Sequence, residues 1–213
     1  LSDTNGTQSG ASYVVFGRAS GFAANLDLSG LDGSNGFKLR GAAANDVSGF
    51  SVSSAGDVNG DGYGDLIVGA PGADPHGLSS GASYVVFGKA SGFAANLNLS
   101  SLNGANGFKL SGVAAYDLSG WSVASAGDIN GDGFSDLIVG ATYADPHGGL
   151  SGASYVVFGK AFGFTASLDL SSLTGTDGFK LSGAAAYDHS GMSVASAGDV
   201  NGDGFDDLIV GAP

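Results

Sequence analysis

The sequence predicts an all-β protein, a β-propeller of four-stranded antiparallel blades. Three observations predict it. The 213 residues divide into three copies of one 71-residue unit. Each copy holds four short strand-like segments with glycine at their boundaries, and no window of ten or more residues carries a convincing helical stripe of apolar side chains. Four short strands at this period are typical of propeller blades, whereas the turns of a β-solenoid, the alternative, usually span about 20 to 30 residues.

The repeat is clearest in the segment Tyr-Val-Val-Phe-Gly, which begins at Tyr13, Tyr84 and Tyr155. Each start lies 71 residues after the previous one. We therefore expect a single domain over 1–213, made of the units 1–71, 72–142 and 143–213.

Four segments of one period carry the strand signals. Residues 65–70 form a short apolar run that predicts a buried strand, and residues 82–88 are rich in β-branched and aromatic side chains. Residues 36–41 and 49–56 alternate apolar with polar or small side chains, as half-exposed strands do.

The composition excludes several classes of protein. The formal net charge of −13, with 7 Lys and Arg residues, argues against nucleic acid or an anionic membrane as a partner. The absence of Cys excludes a disulfide scaffold, a thiolate zinc site and a cysteine nucleophile. No apolar run is long enough to span a bilayer, and the sequence shown carries no signal peptide. All 20 acidic residues are Asp, which favours turns and metal loops over helix interiors.

Each unit contains the same acidic loop between the predicted strands 49–56 and 65–70 or between their equivalents. Side-chain oxygens at loop positions 1, 3, 5 and 9, with a backbone carbonyl at position 7, can surround a hard cation. Calcium accepts six to eight oxygens and tolerates irregular geometry better than magnesium, so we expect three Ca²⁺ sites, one per unit. The predicted ligands are Asp57, Asn59, Asp61, Tyr63 and Asp65; Asp128, Asn130, Asp132, Phe134 and Asp136; and Asp199, Asn201, Asp203, Phe205 and Asp207.

The loops differ from an EF-hand. Position 12, where an EF-hand has a bidentate acid, is Val68, Val139 or Val210. The alternative is an Asp- and Gly-rich turn without a metal, which three identically spaced copies make a weak explanation. We expect the cations to stabilise the fold rather than to take part in catalysis.

Other polar residues are candidates for a ligand face. His76 and His147 lie in Ala-Asp-Pro-His-Gly segments, where a polar turn is the alternative to a binding role. A second group lies just before the segment 49–56 and its equivalents and combines acids with aromatic rings, which could bind a sugar: Asp46, Asp117, Asp188, Tyr116 and Tyr187. No repeated Ser/His/Asp set, nucleophile elbow or phosphate-binding loop is present, so we expect no enzymatic activity.

Two further motifs flank the acidic loop, and with it they make the unit resemble an FG-GAP repeat. This repeat is the blade of integrin α-subunit propellers and of many bacterial extracellular proteins. The first motif corresponds to Gly49–Phe50, Gly120–Trp121 and Gly191–Met192, and the second to Gly69–Pro71, Gly140–Thr142 and Gly211–Pro213. The resemblance covers the whole chain, although Trp121, Met192 and Thr142 depart from the motifs.

The resemblance implies that the chain opens with two outer strands of one blade and closes with two inner strands of another. Family propellers usually have seven blades, so three need completion. A second copy could close a six-bladed ring head-to-tail, or the chain could be a segment of a longer propeller.

For function, the resemblance implies an extracellular or cell-surface binding and adhesion module with a protein or glycan ligand. The alternatives are a lectin-type propeller, an accessory domain of an extracellular hydrolase, and an engineered or excised repeat scaffold without a ligand.

Overall fold

The computed structural model describes residues 5–19 and 21–213. Leu1 to Thr4 of the predicted first unit, and Ser20, lie outside the described residues. The described part is all-β apart from three 3₁₀ turns at Leu28–Gly30, Leu99–Ser101 and Leu170–Ser172. None of its helices has the length and apolar character needed to cross a membrane.

The strands are short and follow the 71-residue period. In chain order, the described residues contain β1 Ala11–Val15, β2 Gly36–Arg40, β3 Ser51–Gly56, β4 Asp65–Ala70, β5 Ala82–Val86, β6 Asn96–Asn98, β7 Gly107–Ser111, β8 Ser119–Gly127, β9 Asp136–Ala141, β10 Ala153–Val157, β11 Ser167–Asp169, β12 Gly178–Ser182, β13 Ser193–Gly198 and β14 Asp207–Gly211.

These strands form four sheets within the described residues. The first has the order β1-β2-β6, the second β11-β7-β5-β4-β3, the third β12-β10-β9-β8 and the fourth β13-β14. All pairs are antiparallel except β2 with β6 and β7 with β11, in which a three-residue strand from the next unit adds to the outer edge of a sheet. Several antiparallel sheets in series are consistent with part of a β-propeller.

Three hydrophobic cores separate the four sheets. Phe37 and Leu39 of the first sheet pack with Val68 and Tyr84 of the second. Side chains of the second and third sheets form the next core, which includes Ile67 and Val139, and those of the third and fourth sheets form the last. The central strands β5 and β10 are buried along their whole length because cores lie on both of their faces.

The four strand segments predicted from one period are all strands. The segment predicted at residues 65–70 matches β4 at both ends, whereas β3 begins at Ser51 because Gly49 and Phe50 belong to the preceding turn. The short strands β6 and β11 were not predicted, because their sequences, Asn-Leu-Asn and Ser-Leu-Asp, carry no strand signal of their own.

Candidate metal centre and ligand surface

The three acidic loops occupy one kind of position in the fold, the hairpin between the paired strands β3 and β4, β8 and β9, or β13 and β14. The glycine at loop position 6 is required by the turn: Gly62 has φ of +86°, a left-handed conformation that side chains with a Cβ rarely adopt. Each loop therefore curls back on itself and brings its first and ninth residues to the bases of adjacent strands.

Within the first loop, the carboxylates and the amide already point towards the loop interior. The Asp57 carboxylate accepts hydrogen bonds from the backbone N–H groups of Asp61 (3.1 Å) and Gly62 (2.9 Å). Asn59 Oδ1 accepts from Asp61 N (3.0 Å), and Asp61 Oδ1 accepts from Tyr63 N (2.9 Å). The oxygen-bearing side chains of positions 1, 3 and 5 are thus gathered on one side of the turn.

The same pattern recurs in the other two loops. The Asp128 carboxylate accepts from the N–H groups of Asp132 (3.1 Å) and Gly133 (2.9 Å), and Asp199 makes the matching bonds with Asp203 (3.1 Å) and Gly204 (2.9 Å). Three loops with one geometry indicate one shared role.

Position 9 fixes the loop to the neighbouring strands. The Asp65 carboxylate accepts from Val58 N (2.9 Å) and Gly88 N (2.8 Å), and Asp136 repeats this contact with Ile129 N (2.9 Å) and Gly159 N (2.9 Å). Burial, as the largest effect, and the negative charges of Asp61 and Asp57 together raise the pKa of Asp65 to about 6, against the lowering effect of the two N–H donors. Asp136 has a pKa of about 6 for the same reasons.

A hard cation suits this set of groups. The groups that could bind a metal are all oxygens. The negative charges of Asp57 and Asp61 raise the pKa of the buried Asp65 carboxyl, so a bound divalent cation would offset the repulsion among these three carboxylates. Across residues 5–19 and 21–213, no three Asp or His side chains stand as a preformed metal cage. Calcium binding by these residues stays a prediction, and their oxygen atoms are chemically compatible with it.

A second group of loops precedes the inner strands β3, β8 and β13, at the ends opposite the acidic loops. These left-handed loops, residues 45–47, 116–118 and 187–189, each place two non-glycine residues at positive φ, such as Tyr116 at +70° and Leu118 at +55°. Non-glycine residues rarely adopt this conformation, and its repetition in each unit shows that the surrounding hydrogen bonds impose it. Tyr116 N, for example, donates to Leu78 O at 2.8 Å and Leu118 N to Ser79 O at 3.1 Å.

The Asp residues predicted as a ligand face accept hydrogen bonds within these loops and so stabilise their turns. Asp46 Oδ2 accepts from Ala43 N (2.9 Å), and Asp117 Oδ2 accepts from Ala114 N (3.2 Å). Both side chains are buried, and burial raises their pKa above the usual value. Asp188 makes the same bond at a less buried position. Tyr116 and Tyr187, next to these acids, are exposed.

A row of ring side chains crosses three units beside the left-handed loops. Phe50 and Trp121 have ring centroids 4.6 Å apart, Trp121 and Tyr143 lie 6.1 Å apart with planes 20° from parallel, and Tyr143 and His189 lie 5.4 Å apart. Phe50 and Tyr143 are exposed. Sequence reasoning did not predict this aromatic row, because its members come from different positions of the repeat; Trp121 and Met192 at the Phe50 position were the available signal.

The two candidate histidines lie elsewhere. His76 Nδ1 is 2.6 Å from Gly112 O, and its Nε2 is 3.2 Å from Asp169 Oδ2. His147 Nδ1 makes the corresponding contact with Gly183 O at 2.7 Å. Both rings therefore contact the outer strands of a sheet rather than the aromatic row.

Comparison with known families finds the FG-GAP repeat at residues 48–86, 119–157 and 190–213. Each match begins just before an inner strand and includes an acidic loop. The chain is also 35% identical to the phosphatidylinositol-glycan-specific phospholipase D of Bos taurus over 167 residues, which cover 78% of this chain and 18% of that protein.

Integrin α chains are similar to this chain as well. Identity is 32% over 159 residues with integrin alpha-4 of Xenopus laevis, covering 74% of this chain and 14% of that protein, and 33% over 184 residues with integrin alpha-IIb of Homo sapiens, covering 82% and 16%. The chain thus spans less than a fifth of the length of these relatives.

Proposed function

The chain is an FG-GAP repeat protein, and from this premise we propose that it is a calcium-stabilised propeller module that binds partners outside the cell or at the cell surface and has no catalytic activity of its own. One observation carries the proposal: three acidic loops with the same hydrogen-bond geometry stand at the same hairpin of each unit. Calcium, when bound, would compensate the negative charge of these carboxylates.

We also propose the organisation of the module. Each 71-residue unit contributes one blade, residues 1–213 form one part-propeller domain, and further repeats complete the ring, from a second copy of this chain or from a longer chain. The serial packing of the sheets and the three cores between them support this arrangement.

Titration calorimetry with protein freed of metal by EDTA tests the calcium proposal. We expect calcium to bind with a stoichiometry of three per chain and to raise the melting temperature, because a ligand that binds the folded state adds RT ln(1 + [L]/Kd) per site. Magnesium should bind more weakly, since the loops offer an irregular oxygen cage. Absence of calcium binding, or an unchanged melting temperature, would refute the proposal.

The aromatic row favours a second candidate, a lectin-type propeller. Exposed rings supply flat apolar faces on which the C–H groups of a sugar can stack, and Phe50, Trp121 and Tyr143 present such rings in one row. Tyr116 and Tyr187 add exposed rings from the left-handed loops.

A glycan array distinguishes the two candidates. Trp121 is the only Trp in the sequence, so its fluorescence reports binding at the row directly. A lectin would show array binding that free sugar competes away and a fluorescence change that Trp121→Phe removes. Array binding that survives excess free sugar, or none at all, would favour a protein ligand.

The similarity to a phospholipase D supports one more role, that of a non-catalytic part of a larger hydrolase, since the match covers 18% of that protein. A repeat scaffold without a ligand is the remaining alternative. Capture experiments with extracellular proteins and glycans that find no specific partner would support it.

A further inference from the structure

We propose that the residue at position 8 of an acidic loop, which belongs to no predicted set of ligands, sets the calcium affinity of the acidic loop in the preceding unit. In the second loop this residue is Ser135, and in the third loop it is Asp206. Ser135 contacts the first loop and Asp206 contacts the second, so the second loop should bind calcium more tightly than the first. This inference rests on the proposed calcium binding and names residues outside the ligand sets that tune it.

Neighbouring acidic loops contact each other through position 8. Ser135 N donates a hydrogen bond to Asp57 O (3.0 Å), and Ser135 Oγ accepts one from Asp57 N (3.1 Å). One period later, Asp206 N donates to Asp128 O (3.2 Å), and the Asp206 carboxylate accepts from Asp128 N (2.8 Å). Position 8 therefore holds both main-chain polar groups of the Asp at position 1, a predicted ligand, in the preceding loop.

The main chain of the preceding loop leaves room for this side chain. Gly56 and Gly127 stand just before position 1 of their loops, at φ of +75° and +78°. A Cβ at Gly56 would collide with Ser135 Oγ, and a Cβ at Gly127 would collide with the Asp206 carboxylate. Both junctions thus have the same close approach, which only glycine permits, and they differ in the side chain that makes it.

The residue at position 7 supports the same contact. The ring of Phe134 covers Gly60 at position 4 of the first loop, and the ring of Phe205 covers Gly131 in the second, since a Cβ at either glycine would collide with the ring. Val58, at position 2 of the first loop, is fully buried in the core between the second and third sheets. Because rigidity as well as charge sets the affinity of an oxygen site for calcium, the following unit contributes to the site without supplying a ligand.

Charge distinguishes the two junctions. The first and second loops have the same predicted ligand types, with Asp at positions 1, 5 and 9 and Asn at position 3. Their contacts from the following unit differ, because Ser135 is neutral and Asp206 is acidic. Among the described residues, no basic side chain is paired with Asp206. Its negative charge therefore lies beside the second loop without compensation, where it attracts a divalent cation.

A calcium titration followed by NMR tests the proposal in protein freed of metal by EDTA. The amide signals of Gly62, Gly133 and Gly204 report the three loops separately, since each of these N–H groups donates to the position-1 carboxylate of its own loop at 2.9 Å. We expect the Gly133 signal to reach its midpoint at a calcium concentration about two- to sixfold lower than the Gly62 signal, the effect of one nearby charge reduced by salt.

Two reciprocal substitutions exchange the junctions. Asp206→Ser keeps an acceptor for Asp128 N, as Ser135 is for Asp57 N, and it should raise the midpoint of the second loop to that of the first. Ser135→Asp should lower the midpoint of the first loop by about the same two- to sixfold factor.

Gly64→Asp is the matched control for an effect of position 8 on its own loop. Gly64 is position 8 of the first loop, and no acidic loop precedes it in this sequence. Its φ is not positive and a Cβ there would meet nothing, so the side chain fits. Gly64→Asp should therefore change the midpoint of the first loop less than Ser135→Asp does. An equal change would overturn the inference, because the charge would then act within its own loop.

Amide hydrogen exchange in EDTA tests the contact without calcium. Asp206→Ala removes the acceptor of Asp128 N, so this amide should exchange faster than in the wild type, while the amide of Asp57, held by Ser135, should be unchanged. Equal exchange of the Asp128 amide in both proteins would overturn the inference.

The titration separates this inference from the calcium proposal. If all three glycine signals respond to calcium but Asp206→Ser leaves the midpoint of Gly133 unchanged, position 8 does not set the affinity and the calcium proposal stands. If no glycine signal responds to calcium in the wild type, both are refuted.

Discussion

His76 and Asp169 join two segments that are far apart in the sequence, with Nε2 of the imidazole 3.2 Å from a carboxylate oxygen. The other ring nitrogen, Nδ1, lies 2.6 Å from Gly112 O, and because a carbonyl only accepts hydrogen bonds, Nδ1 carries a proton. A carboxylate also only accepts, so both contacts are satisfied together when the ring is doubly protonated. The pair therefore links the loop after β4 to β11 of the next unit.

A double-mutant cycle should detect this link. His76→Asn keeps a donor for Gly112 O, as Asn5 does for Gly41 O in the first unit, and Asp169→Asn removes the charge. We expect a coupling free energy of about 0.2–1 kcal/mol in chemical denaturation, the range of a solvent-exposed ion pair. His147→Asn is the control, because no carboxylate is paired with His147 among the described residues. Equal effects of Asp169→Asn in both backgrounds would contradict the pairing.

Removal of one acidic-loop carboxylate should remove one calcium site. Asp128→Asn keeps an oxygen that can accept from Asp132 N and Gly133 N, so the turn should persist while the charge is lost. Calorimetry should then count two strong sites instead of three. Asp145→Asn, outside the acidic loops, should leave the count at three. Three equal sites in Asp128→Asn would show that the ligand assignment is wrong.

Acidification should stabilise the protein through Asp117 in calcium-saturated buffer. Burial raises the pKa of its carboxyl and Asp145 raises it further, against the lowering effects of Ala114 N–H and Lys180. The folded state then binds a proton more tightly than the unfolded state, so this contribution to stability is present below pH 3.8 and is lost as the pH rises through the folded pKa.

Urea denaturation between pH 4 and 7 checks the direction of this pH dependence of stability. The free energy of unfolding of the wild type, relative to Asp117→Asn, should increase as the pH falls. A relative stability that decreases on acidification would contradict the argument.

Equivalent isoleucines should respond very differently to truncation. Ile138 is fully buried in the core between the third and fourth sheets, so Ile138→Ala should cost about 2–5 kcal/mol of unfolding free energy. Ile209→Ala should cost no more than about 0.5 kcal/mol, because a change at an exposed position removes few contacts. A cost for Ile209→Ala as large as that for Ile138→Ala would contradict this difference in burial.

Strand prediction succeeded where the segment carries its own signal. The apolar run at Asp65–Ala70 carries a strand signal in its own sequence, and the structure reproduces its bounds. Asn96–Asn98 is a strand because β2 lies beside it, while the equivalent residues 25–27, without a neighbour of this kind among the described residues, are not. The state of such segments is decided by a partner that the local sequence does not specify.

The candidate ligand surface was predictable only in part. The acids before the inner strands were found from their spacing, but the burial of Asp46 and Asp117 depends on loop packing that the local sequence does not show. The aromatic row likewise depends on packing, since Tyr143 follows a strand of the third sheet and His189 precedes a strand of the fourth, so that the two rings meet only once these sheets are assembled.

The repeated junction has a consequence for how such chains can change in length. Because the surface exposed by one unit is what the first strands of the next unit cover, insertion of a whole 71-residue period at any junction leaves both outer surfaces unaltered. A gene for this protein can therefore gain or lose units by unequal crossing-over without any compensating substitution at the ends. In the proposed ring, the number of units is then limited by the closure angle between neighbouring sheets rather than by the sequence of any single unit.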